Sequence, residues 1–100
     1  MTPAADCTTI DDAREAIDAL DRELIATMAV RAGYIRRAAE IKQEVGLPAN
    51  IPARVEDVVE KVRAAATAAG LDADTYERIW RILIEHAIAM EEEALSRPPR

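Results

Sequence analysis

Residues 9–45, TIDDAREAIDALDRELIATMAVRAGYIRRAAEIKQEV, decide the fold. The stretch has no proline, its one glycine is Gly33, and residues that favour helices dominate it, so it predicts a single long helix. Thr9 supplies an N-cap with Asp12 three residues later, in a capping-box-like arrangement. About 35 residues at ~1.5 Å each make a rod on the order of 50 Å long. A chain of this size has no need of such a rod unless something equally long packs against it. Along the rod, Ile10, Ala13, Ile17, Leu20, Leu24 and Met28 recur in steps of three and four, the seam of a helix pair. The seam then continues through Arg31, Ile35, Ala38 and Lys42. Eleven positions at ~100° per residue bring Arg31 and Lys42 to within ~20° of one phase, with Ile35 and Ala38 between them as an apolar floor.

Working outward, Gly46 offers a left-handed cap and Pro48 cannot extend the helix, so the rod ends there and a loop runs to Pro52. A second helix is expected from about Ala53 to Ala69, with Val55, Val58, Val59, Val62, Ala65 and Ala66 on its apolar face and Gly70 closing it. Asp72 or Asp74 then caps a third helix that continues to about Leu95, before Ser96 and a terminal RPPR. No alternating apolar pattern or hairpin dipeptide is present, so no strand is expected. The chain therefore predicts an all-α fold of three helices, one very long. Residues 1–100 form one domain, with 1–8 as an N-terminal arm and 97–100 as a disordered tail.

The third helix repeats the anomaly of the first with the opposite charge. Ile84, Ile88, Glu91 and Leu95 fall at i, i+4, i+7 and i+11, so a carboxyl interrupts an apolar stripe. Buried charges are costly unless paired or bound to a ligand. Taken singly, each anomaly has an ordinary explanation: seam charges that pair with one another, or frayed helix ends that expose them. Arg14 lies seventeen positions before Arg31, roughly 100° away around the helix, so on one straight rod the two face different directions. Its ordinary role is a surface pair with Asp18 at i+4. Its alternative is to reach a site on a second chain, which two long antiparallel helices make natural. His86 is the sole histidine and has no nucleophile or ligand at useful spacing, so a core or surface role is expected. Trp80 and Tyr76 read as packing residues, and Glu91-Glu92-Glu93 as a solvated run from which phase singles out Glu91.

Composition excludes several classes. A net charge of -6 leaves no basic stripe for a run of phosphates, so nucleic acid is not an expected partner, and any anionic ligand must be small and held by a local cation cluster. Cys7 is the one cysteine, so no intrachain disulfide and no zinc spacing can be assembled, and a reduced compartment fits. No run approaches the roughly 20 apolar residues of a membrane span, and the first ten residues lack a leader pattern. A cytoplasmic protein is expected, free of metal and cofactor. Phe is absent and only three residues are aromatic, which limits the area one chain can bury and points to a second chain.

With these residues in hand, the chain resembles the all-helical chorismate mutase family (the AroQ class), and in motif detail the isochorismate-pyruvate lyases within it. The resemblance covers about residues 6 to 95. It is carried by AREAIDALDREL around Arg14, by MAVRAGYIRRAAEIK with Arg31 and Lys42, by PARVEDVV with Arg54, and by ILIEHAIAMEE with Glu91. The spacings from Arg14 to Arg31, Lys42, Arg54 and Glu91 in turn are 17, 11, 12 and 37, and they suit the family as a set.

The resemblance implies an intertwined homodimer with two equivalent sites, each receiving Arg14 from the partner chain. Arg31 and that Arg14 would clamp the two carboxylates of a small dianionic substrate, as bidentate guanidinium groups do. Lys42 would bond a carboxylate and the ether oxygen, Arg54 would line the pocket, and Glu91 would donate to the ether oxygen. Ile35, Val55, Val58, Ile84, Ala87 and Ile88 would form the walls. The implied activity is the rearrangement of chorismate to prephenate, on the shikimate route to aromatic amino acids or in secondary metabolism; being concerted, it calls for no nucleophile, metal or cofactor.

Two departures open alternatives. Glu91 stands where the family usually has Gln, and a carboxyl donates only when protonated, so activity is expected to fall as pH rises. Val55 stands where many mutases carry an acidic residue that contacts the substrate hydroxyl, while the lyase-like members also have Arg-Val. Cleavage of isochorismate to salicylate and pyruvate is therefore the close alternative, and mutase action on the 4-amino-4-deoxy analogue another. The rival of a different class is a non-catalytic helical dimer whose seam charges fix register.

Overall fold

Each expected helix boundary can be compared with the hydrogen bond that makes it in the computed structural model, which describes residues 2–96. Three α-helices follow a short 3-10 turn at Ala4–Asp6: α1 is Ile10–Val45, α2 is Pro52–Ala68 and α3 is Ala73–Leu95. No strand occurs among the described residues. The 3-10 turn within the N-terminal arm was not foreseen, and the expected disordered tail at 97–100 lies outside the described residues.

Thr9 caps α1 through its hydroxyl, which accepts from the Asp12 N–H at 3.0 Å. The reciprocal bond differs from a capping box, because the Asp12 carboxylate accepts from the N–H and hydroxyl of Thr8, at 3.2 and 3.3 Å, one residue earlier. At the other end Gly46 takes φ +76°, and the Leu47 N–H turns back to the Lys42 carbonyl at 2.9 Å, a Schellman closure. Pro52, expected in the loop, is the first residue of α2: its missing N–H needs no partner there and its fixed φ already suits the helix. Gly70 repeats the left-handed exit at φ +77°, with the Leu71 N–H on the Ala66 carbonyl at 2.8 Å. Of the two candidate caps for α3, Asp72 serves, accepting from the Thr75 N–H at 3.0 Å and from its hydroxyl.

By its contacts the chain divides into two units, 2–34 and 35–96 as described, with the boundary inside α1. In the first unit no residue is buried. Ile10, Ile17, Leu20 and Leu24 stand 64, 54, 45 and 61% exposed, so the apolar seam is uncovered in a single chain. The second unit holds the core: Ala39, Ala49, Val59, Ala66 and Ile84 are buried, and most are small. Ala65, expected on the inner face of α2, is exposed, since that face is centred on Val59 and Ala66.

Helices α2 and α3 pack on one another and are laced by charge. Arg63 bonds Asp74 and Glu77 at 2.8 and 2.9 Å, Glu77 also accepts from Arg81 at 2.8 Å, and Arg81 reaches Glu56 at 3.1 Å. Because Arg63 meets the start of α3 while Glu56, seven residues earlier, meets Arg81 further along it, the pair runs antiparallel. This frame sets the late turns of α3 beside the end of α1, where Glu91 meets Lys42.

Candidate active site

Lys42 sits in the last turn of α1, where its charge complements the carbonyl end of the helix. Its Nζ donates to Glu91 Oε2 at 2.7 Å and to the carbonyl oxygen of Ala49 at 2.9 Å. The Lys42 side chain is 18% exposed and that of Glu91 8%, so the pair is largely out of water. Glu91 is the one buried charged residue among those described, and no buried side-chain polar atom among them lacks a partner. The two stripe anomalies, on α1 and on α3, thus meet each other.

A cleft of about 310 Å³ opens on one side of Glu91, lined by Ile35, Arg36, Ala39, Gln43 and Met90. A second concavity of about 260 Å³ lies between α2 and α3, with Val55, Ile84 and Ile88 as its apolar wall and Arg81 and Glu85 at its edge. The expected wall residues are therefore divided between two hollows. Val58 and Ala87 are half-buried and line neither.

Arg54 stands apart from both hollows in the single chain. It pairs with Asp57 at 2.8 Å on its own helix, with 63% of its side chain exposed. The reason is local: a carboxylate at i+3 is within reach without any reorganisation of the backbone. Lys61 bonds the same carboxylate at 2.9 Å, and the two cations hold Asp57 below its ordinary pKa. In the first unit, Arg14 is exposed and Arg31 half-buried. Neither makes an ion pair with a described residue, so the surface pair with Asp18 does not form. His86 is exposed, and no cluster of His, Cys, Asp and Glu among the described residues is arranged to hold a metal ion.

What this arrangement can do is donate hydrogen bonds from a fixed, poorly solvated ammonium. Such a donor stabilises an oxygen that gains negative charge far more than it does in water. A comparison with known proteins gives the frame for that chemistry: residues 13–92 match the family model for chorismate mutase type II. The chain belongs to the chorismate mutase type II family.

Similarity to individual proteins is of comparable length. A chorismate mutase of Methanocaldococcus jannaschii is 30% identical over 82 residues, covering 82% of this chain and 83% of its own. An isochorismate pyruvate lyase of Pseudomonas aeruginosa is 33% identical over 90 residues, covering 89% and 87%. The T-protein of Haemophilus influenzae is 33% identical over 84 residues, 84% of this chain but only 22% of that longer protein. All five residues that carried the resemblance, Arg14, Arg31, Lys42, Arg54 and Glu91, fall inside residues 13–92, the span of the family-model match.

Reading the sequence missed the Ala49 carbonyl as the second partner of Lys42. A backbone acceptor leaves no mark in residue identity. The signal available was indirect: Gly46 and Pro48 mark a tight turn, Ala49 lies three residues after Gly46, and such a turn carries the chain back over the last helical turn.

Proposed function

We propose that the chain is a chorismate mutase that converts chorismate to prephenate with Lys42 and Glu91 at the ether oxygen. The observation that carries this reading is the largely buried Lys42–Glu91 pair, 2.7 Å apart, within a chain of the chorismate mutase family. In the reaction one C–O bond breaks as one C–C bond forms within the same molecule, so the protein's work is to hold the reactive conformer and to stabilise charge on the departing oxygen. Lys42 supplies a fixed positive donor. The substrate's oxygens compete with Glu91 for that ammonium, and a protonated Glu91 becomes a second donor.

The rest of the site is assigned by resemblance. Arg31 and Arg14 of the partner chain take the two carboxylates, and Arg54 swings from Asp57 to the pocket when a dianion is present. Val55, Val58, Ile84, Ala87, Ile88 and Ile35 provide the walls. The uncovered seam of α1 supports an intertwined homodimer, since a second copy offers an equally long apolar partner for Ile17, Leu20 and Leu24. Residues 1–100 act as one domain in this dimer. Among the described residues no helix is long and apolar enough to cross a membrane, and we place the enzyme in the cytoplasm, where Cys7 stays reduced.

A second reading has its own support. The similarity to an isochorismate pyruvate lyase spans 90 residues, and Val55 presents no carboxylate to a substrate hydroxyl. Purified protein offered chorismate and isochorismate separately distinguishes the two. Prephenate from chorismate supports the mutase, salicylate with pyruvate from isochorismate supports the lyase, and neither product leaves the non-catalytic dimer.

A further inference from the structure

We propose that the Ala49 carbonyl is a positioning group for Lys42, and that the Gly46–Ala49 turn exists to place it. The proposal rests on reading Lys42 as the donor to the substrate's ether oxygen. Lysine has four rotatable bonds and an ammonium that donates three hydrogen bonds. Left alone, such a side chain samples many positions, and a displacement of about 1 Å is enough to impair catalysis. Here two of the three donors are spent, one on Glu91 Oε2 at 2.7 Å and one on Ala49 O at 2.9 Å. Two anchors fix the nitrogen and leave one donor for a ligand.

The two anchors differ in kind. Glu91 is itself assigned to the substrate, so it changes partner during turnover. The carbonyl of Ala49 cannot titrate, and it has no other side-chain donor among the described residues. Ala49 is 7% exposed, which keeps water from replacing the bond. The turn is also tied to the same lysine a second way, because the Leu47 N–H donates to the Lys42 backbone carbonyl at 2.9 Å. Lys42 is thus both the residue on which α1 closes and the residue that the closing turn holds. The closure requires Gly46 at φ +76°, the left-handed region that L side chains rarely adopt.

The test weakens one acceptor without changing a side chain. A synthetic full-length chain in which the Ala49–Asn50 amide is replaced by an ester has a poorer acceptor at Ala49, and the lost Asn50 N–H donates to no described residue. We expect kcat on chorismate to fall about tenfold, with KM within about twofold of native and the thermal midpoint preserved. A kcat within twofold of native overturns the proposal, as does a fall in kcat that only follows a lower midpoint or a parallel rise in KM. Exchange of the 15N-labelled Lys42 ammonium protons gives a readout free of turnover: it should be faster in the ester chain, and an unchanged rate also overturns the proposal. If the native chain converts neither chorismate nor isochorismate, the catalytic reading fails, while the exchange rate still decides whether the carbonyl holds the lysine.

A second pair of variants reaches the same point by mutation. A methyl at position 46 meets no atom within 4 Å, so Gly46→Ala acts through backbone conformation alone. It should lower kcat several-fold, and Gly46→Asn, which tolerates the left-handed region better, should recover most of the loss. Equal kcat in Gly46→Ala and native protein speaks against a positioning role for the turn.

Discussion

Lys42 is accommodated in a poorly solvated place because two acceptors lie within 2.9 Å, and Glu91 is tolerated there only because Lys42 is its partner. Removing one member of such a pair leaves an uncompensated charge. Glu91→Ala should therefore destabilise the fold by about 3 kcal/mol, read from chemical denaturation, whereas Glu91→Gln, which still accepts from Lys42, should cost clearly less. Lys42→Ala should lower kcat by about 100- to 1,000-fold, the range found when a preorganised donor to a developing anion is lost. Both effects were legible to different degrees. The charges announced themselves because each breaks the phase of an apolar stripe, and two opposite anomalies on two helices call for each other. The resting position of Arg54 was not legible, because Asp57 at i+3 competes for its guanidinium and sequence does not rank one near partner against a distant ligand.

At the scale of elements, the helix ends are set by local chemistry and were readable as such. Thr9, Gly46, Gly70 and Asp72 each satisfy groups that the helix leaves unpaired, and each does so within a few residues of itself. The interlock of α2 with α3 was not readable, since Arg63, Glu77, Arg81 and Glu56 look like ordinary solvated charges until the antiparallel pairing brings them together. This lacing carries a pH dependence with a definite sign. Asp72 is held below its ordinary value of 3.8 by bonds from Thr75, and Glu77 below 4.5 by Arg81 and Arg63. A carboxyl whose pKa is lower in the folded chain stabilises it above the unfolded value, and the contribution is lost as pH falls through the folded one. The thermal midpoint should be nearly flat from neutrality to about pH 5 and fall below about pH 4. Glu77→Gln should flatten that fall, and an acid limb identical to that of the native chain would exclude Glu77 as a contributor.

For the whole molecule, the fact that matters most is that the buried residues all lie in the second unit. A chain in which none of residues 2–34 is buried has an incomplete core by itself, and the proposed second copy completes it. Sedimentation should give a dimer, and Leu24→Glu should raise its dissociation constant by at least about 100-fold by placing a charge in the seam. The sharing of sites has a sharper test. Arg14→Ala and Lys42→Ala chains are each expected to be nearly inactive, yet a mixed dimer carries one site in which both residues are intact. Mixing the two after mild unfolding should restore activity, and no recovery in verified mixed dimers would show that each chain builds its site alone.

The uncovered seam of α1 also sets the order in which the molecule can come into being. Helices α2 and α3 are neighbours in sequence joined by a short turn, so their pairing closes quickly and depends only on the chain that holds them. The seam through Ile17, Leu20 and Leu24 has no such neighbour and must await a collision. Refolding should accordingly show a fast phase indifferent to protein concentration and a slower one whose rate rises with it. Activity should return only with the second.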